Sequence, residues 1–145
     1  MKMNRLASTG LVPALALCVA VLGGCKSTQE AAPALSGEQL AEAKSKWTGT
    51  WSGAWGQDGS CASTVAISEV TGHRAKAKYS WGGGCGGAVP SSYTDTGAVI
   101  SGDTIELSLM WGWGARYTMR EDGNLDGEWW SRGKRNTASS TFYKQ

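Results

Sequence analysis

The stretch Arg74-Ala75-Lys76-Ala77-Lys78-Tyr79-Ser80-Trp81 alternates apolar side chains with cationic or hydroxyl ones at every step. A period of two places alternate residues on opposite faces of a β-strand. Ala75, Ala77, Tyr79 and Trp81 therefore face a core, while Arg74, Lys76, Lys78 and Ser80 face water. The same reading applies at 103–111. There Ile105, Leu107, Leu109 and Trp111 face in, against Thr104, Glu106, Ser108 and Met110. It also turns Val65 and Ile67 inward. At 47–55 it sets Trp47, Gly49, Trp51, Gly53 and Trp55 on one face, with glycines making room between bulky rings.

Working outward, the chain from Trp47 resolves into eight such runs, at roughly 47–55, 62–70, 74–82, 92–100, 103–111, 114–121, 124–131 and 136–144. Turn-forming sequences separate them, among them Gln57-Asp58-Gly59, Thr71-Gly72, Ser101-Gly102-Asp103, Asp122-Gly123-Asn124 and Gly133-Lys134. Short, regularly spaced strands with tight turns predict an antiparallel meander. Closing it removes the exposed edges of an open sheet. The expected fold is all-β: a small eight-stranded antiparallel up-and-down barrel over 47–145, preceded by a short helix. The helix is expected within Ser36-Gly37-Glu38-Gln39-Leu40-Ala41-Glu42-Ala43-Lys44. Ser36 can cap it, and Gln39 stands three residues on, as a capping box requires.

The first 24 residues read differently. Lys2 and Arg5 make a short basic region, Leu11 to Leu22 is apolar and uncharged, and Gly23 and Gly24 are small. That is the anatomy of an export signal. The apolar run falls short of the roughly 20 residues that a spanning helix needs. Leu22-Gly23-Gly24-Cys25 resembles the lipobox of bacterial lipoproteins. The resemblance implies cleavage before Cys25, lipidation of Cys25, and a tether over 25–46. Cys18 follows Leu17, which is too large for the cleavage pocket. Lys26 replaces the Asp that retains enterobacterial lipoproteins at the inner membrane, so the same resemblance implies a lipid anchor in the outer membrane, on its periplasmic face. Without Lys2 and Arg5, 12 basic residues balance 12 acidic ones. A neutral chain offers no clustered cations for nucleic acid.

Chain direction places the tryptophans. With the helix end taken as the bottom, odd-numbered strands run upward and end at Trp55, Trp81, Trp111 and Trp129, with Trp113 in a top turn. Trp130 follows Trp129. Each ring offers a flat apolar face and one N–H donor. Two readings follow: the rings line an open mouth that binds an apolar, planar or sugar-like ligand, or they fill the upper core and seal it. Arg132, Lys134 and Arg135 add a basic side to the rim. Cys61 opens the second strand and Cys85 follows the third, so both lie at the top. In an oxidising compartment they are expected to form a disulfide that pins the glycine-rich loop 82–92 across the mouth.

No catalytic constellation emerges. His73, the only histidine, sits in a turn beside Gly72, with no serine arranged as in a triad. Glu106, Asp126 and Glu128 fall on outward positions. Two cysteines and a distant histidine do not make four ligands for a metal, and Gly82-Gly83-Gly84-Cys85-Gly86-Gly87 lacks the Gly-Lys-Ser/Thr ending of a phosphate loop. No enzyme activity, cofactor or metal is expected.

Two family resemblances bear on function. Gly49-Thr50-Trp51 on the first strand, after a short helix, is similar to the Gly-x-Trp motif of the calycins, the lipocalins and avidins. Thr141-Phe142-Tyr143-Lys144 places a cation on the last strand, where those families set a cation or polar group near that tryptophan at the closed end. This implies an eight-stranded ligand-binding barrel, with the loop 82–92 in the position of the avidin lid. Gly114-Ala115-Arg116-Tyr117 with Trp130-Ser131-Arg132-Gly133 resembles two motifs of the membrane-bound inhibitors of C-type lysozyme, also small envelope lipoproteins. In that family a serine precedes the first motif and a lysine lies in the second. Trp113 and Arg132 stand at those positions here. The expected function is therefore non-enzymatic ligand binding by Trp55, Trp81, Trp111, Trp113, Trp129 and Arg132. The alternative is a protein-binding inhibitor that uses the same rim.

Overall fold

The computed structural model describes residues 35–145, apart from 57, 84 and 86–89. One helix, α1 (Gly37–Trp47), precedes eight strands: β1 (Gly49–Trp55), β2 (Cys61–Thr71), β3 (Arg74–Trp81), β4 (Ser91–Ser101), β5 (Thr104–Ser108), β6 (Gly114–Met119), β7 (Leu125–Trp130) and β8 (Thr137–Lys144). Each strand pairs with the next, and β8 returns to β1, so the sheet is a closed antiparallel barrel. The architecture is consistent with a calycin-like barrel.

Local chemistry explains the first element. Ser36 Oγ accepts from the Gln39 backbone N–H at 3.3 Å, and Gln39 Oε1 accepts from the Ser36 N–H at 2.9 Å. This reciprocal box satisfies two amides that a helix start leaves orphaned. Lys44 and Lys46 lie in the last turn, where cations complement the helix dipole. Trp47 is the last helical residue rather than the first of a strand. It completes a stripe with Leu40 and Ala43 at helical spacing, and it is buried at the lower end of the barrel core.

Strand alternation holds through the core. Val65, Ile67, Ala75, Ala77, Tyr79, Ile105, Leu107, Ala115, Tyr117, Leu125 and Phe142 are buried. Their outward neighbours carry charge: Arg116 bridges Glu106 and approaches Glu128, and Arg120 pairs with Asp122 and Asp126. Such exposed pairs contribute little stability each. Space inside is tight where rings meet. A Cβ on Gly127 would fall within 2.9–3.1 Å of Trp55, Tyr117 and Phe142 at once, and one on Gly53 would meet the Thr141 carbonyl at 2.8 Å. Glycine on β1 and β7 is what leaves room for the rings of Trp55, Tyr117 and Phe142, which come from β1, β6 and β8.

The lower pole is closed. The Trp51 indole N–H donates to the Gly123 carbonyl at 2.9 Å, and Lys144 Nζ lies 5.5 Å from the centroid of the Trp51 ring. The pairing of a first-strand tryptophan with a last-strand cation thus takes the form that the Gly49-Thr50-Trp51 motif led us to expect. The helix joins this pole, where Lys46 pairs with Asp103 in the β4–β5 turn and Leu35 lies close to Gly72 in the β2–β3 turn.

Among the described residues, one buried side-chain group lacks a partner. The Tyr117 hydroxyl, in the middle of the core, has no hydrogen bond among the described residues. An unpaired buried hydroxyl costs roughly 1–3 kcal/mol. Burial, with a further push from Tyr79, also holds its pKa well above the usual tyrosine value. A folded pKa above the unfolded value of about 10 means that the folded state binds more protons at high pH, so stability is complete below about pH 10 and falls as pH rises beyond it. Tyr117→Phe is expected to raise neutral-pH stability by about 1 kcal/mol and to shrink the alkaline loss. Urea melts at pH 7 and above pH 10 read both effects; a destabilised variant at pH 7 would mean that the hydroxyl has a partner.

Candidate functional site

The upper pole is built differently from the lower one. The β4–β5 ladder covers only Val99–Ser101 against Thr104–Glu106. Above it the upper part of β4 pairs with β3 alone, and β5 ends at Ser108. Asp95 spans the gap: one carboxylate oxygen accepts from the Ser108 N–H at 2.8 Å and the other from the Gly97 N–H at 2.8 Å. The side chain thus satisfies an amide that the strand ladder leaves without a partner. A bulge in the β3–β4 pairing, between Ala75 and Ala77, shifts the register of β4.

Within this upper end lies a cavity of about 350 Å³, open to solvent. That is the lower end of the range for small-molecule sites. Its walls include Trp55, Trp81, Trp113 and Trp129, with Tyr79, Tyr93, Leu109, Met110 and Ala138 between them. Trp55 forms the floor and is almost fully buried. Its indole N–H donates to the Tyr79 hydroxyl at 2.8 Å. Ser63 Oγ lies 3.2 Å from that hydroxyl and donates to the Cys61 carbonyl at 3.4 Å. Tyr79 is itself stacked on Trp81, with centroids 5.7 Å apart. Burial pushes the Tyr79 hydroxyl pKa up, and its bonds to Ser63 and Trp55 partly oppose the shift.

Cys61 and Cys85 form a disulfide, 24 residues apart in sequence, and both line the cavity. It ties the start of β2 to the segment that leaves β3. Of the loop 82–92, residues 84 and 86–89 lie outside the described residues, so the lid reading falls largely on them. Cys25 also lies outside them.

Trp111 does not take the inward position that alternation assigns to it. The strand ends at Ser108, and residues 110–112 form a 3-10 turn in which Trp111 has φ 60°, ψ 19°. That left-handed backbone is rare for a bulky residue and turns the ring outward to 69 % exposure. The same turn swings Met110, expected to face out, into the cavity wall. Trp111 still meets Trp113 edge-on at 5.4 Å, and Trp113 meets Trp129 edge-on at 5.5 Å. A line of rings therefore runs from the surface into the mouth. Arg132 does not line the cavity. It is exposed, in the turn Arg132–Lys134, where its methylene groups pack close to Gly112. Trp130 lies on the outer wall with Arg116 and Lys134 each near its ring, at 6.0 and 5.5 Å.

Among the described residues no cluster of three or more His, Cys, Asp or Glu is placed to hold a metal ion. No protein-family model, curated protein or solved structure matches the chain.

Proposed function

We propose that this chain is a non-enzymatic ligand-binding barrel of the bacterial cell envelope, which takes a small apolar or planar molecule at its tryptophan-lined mouth. The observation that carries the reading is the open cavity between Trp55, Trp81, Trp113 and Trp129. A barrel plugged to the top would bury these rings against one another. Here two walls of them face solvent-accessible space, and a concave, mostly aromatic site with few polar groups is the usual form of a small-molecule site. Titration with the neutral fluorophore N-phenyl-1-naphthylamine tests it. Ala138 lines the cavity, so Ala138→Phe would insert a ring into the space and should weaken binding at least tenfold. Equal binding by wild type and variant would place the probe elsewhere and sink the reading.

Export and anchoring belong to the same proposal. The lipobox-like Leu22-Gly23-Gly24-Cys25 supports a lipid anchor at Cys25, and Lys26 supports the outer membrane. Cells fed a clickable palmitate analogue should label the wild-type protein and not Cys25→Ala; equal labelling of the two would rule the anchor out.

The alternative, a protein-binding inhibitor of an envelope-targeting enzyme, draws on Trp111. A bulky ring held outward, in a turn whose Gly112 packs close to Arg132, is the kind of anchor that protein interfaces use. The cavity favours the small ligand, because a partner gripped by the rim needs no space behind it.

A further inference from the structure

We propose that the cavity selects an uncharged, aromatic ligand and holds it by ring contacts, with no ion pair and no hydrogen bond donated by its floor. The proposal rests on the ligand-binding reading above and narrows it to a chemical class.

Charge comes first. None of the residues that line the cavity is ionised at neutral pH. The sequence at 57, 84 and 86–89, outside the described residues, is Gln, Gly, Gly, Gly, Ala and Val, with no charge among them. The basic turn Arg132–Lys134 stands outside the cavity and is exposed, and Asp58, between the lining residues Gly56 and Ser60, is itself exposed and spends a carboxylate oxygen on the Ser60 N–H. An ion drawn inside would lose its hydration without gaining a counter-charge, which is strongly unfavourable.

Hydrogen bonding points the same way. The ordering of the floor that uses every hydrogen runs in one direction: Trp55 N–H to Tyr79, Tyr79 O–H to Ser63, and Ser63 O–H to the Cys61 carbonyl. The chain ends on backbone, so every donor in it is spent before a ligand arrives. A ligand that had to accept a hydrogen bond from the floor would break a satisfied buried network.

Shape supplies the rest. In a closed barrel of eight strands, β3 and β7 stand four strands apart, on opposite sides. Tyr79 and Trp81 on β3 therefore face Trp129 on β7, which Trp113 extends. Two aromatic walls lining one cavity favour a flat ring system, because stacked and edge-on ring pairs gain beyond the area they bury.

The test compares N-phenyl-1-naphthylamine with 1-anilinonaphthalene-8-sulfonate, the same ring skeleton with one anionic group added. Both are titrated into the purified protein and into Ala138→Phe, and only binding that the variant weakens is scored. The neutral probe should bind at least tenfold more tightly than the sulfonate, and phenanthrene should displace it at least tenfold better than fully saturated perhydrophenanthrene. A sulfonate bound as tightly as the neutral probe, or a saturated competitor as effective as the flat one, would overturn this proposal and leave the ligand-binding reading standing. Absence of any variant-sensitive binding by the neutral probe would overturn that reading, and this proposal with it.

Discussion

Trp51→Ala is expected to cost about 3–5 kcal/mol of folding stability, while Trp81→Ala costs roughly 1 kcal/mol and Trp111→Ala lies within about 0.5 kcal/mol of wild type. The ordering follows from where each ring lies. Trp51 is fully buried at the closed pole, donates its N–H to the Gly123 carbonyl, and has the Lys144 ammonium beside its face. Removing it leaves a large void and strips that carbonyl of its donor. Trp81 is half-buried, stacks on Tyr79 and borders open space, so its loss leaves no new internal void. Trp111 is mostly in water. Urea melts of the three variants, with unchanged slopes, provide the measurement. Equal large losses for Trp51 and Trp81 would mean that the upper barrel is packed as solidly as the lower, and the cavity reading would fall.

The double variant Cys61→Ala/Cys85→Ala should lose about 3.5 kcal/mol, the chain-entropy value for releasing a closed loop of this length. A second effect is specific to this bridge. Because both cysteines line the cavity, the variant should also bind N-phenyl-1-naphthylamine more weakly. Reduction of the wild type should reproduce both changes. A variant that melts as the wild type does would show that the bridge restrains nothing the folded chain does not already hold.

The barrel was legible in the sequence because period-two alternation survives in strands with one wet face. Arg74 to Trp81 and Thr104 to Leu107 carry it with hardly an exception, and turn residues separate the runs. The Cys61–Cys85 bridge followed from strand direction together with the expected export to an oxidising compartment. Direction also gathered Trp55, Trp81, Trp113 and Trp129 at one end, where the structure places them around one cavity. Two tryptophans escaped the same logic for identifiable reasons. Trp47 extends the apolar stripe of α1, and only the spacing from Leu40 and Ala43 signals it. Trp111 lies past the true end of β5, where a left-handed residue breaks the alternation. Glycines on both sides of Trp113 hinted at irregular backbone but did not say where it starts. The Trp55–Tyr79–Ser63 relay needs three strands in register, which no single-strand pattern encodes. The gap bridged by Asp95 is likewise a matter of pairing between strands.

Helix α1 meets the barrel at the pole opposite the mouth, through buried Trp47, the Lys46–Asp103 pair and the approach of Leu35 to Gly72. Any pull transmitted along the chain before Leu35 therefore reaches the lower turns and the Trp51 end of the core first. The two tryptophan walls and their disulfide lie outside that line of force. The junction of α1 with the barrel and the cavity thus occupy opposite poles, so the residues that seat the helix and the residues that line the mouth form two separate sets.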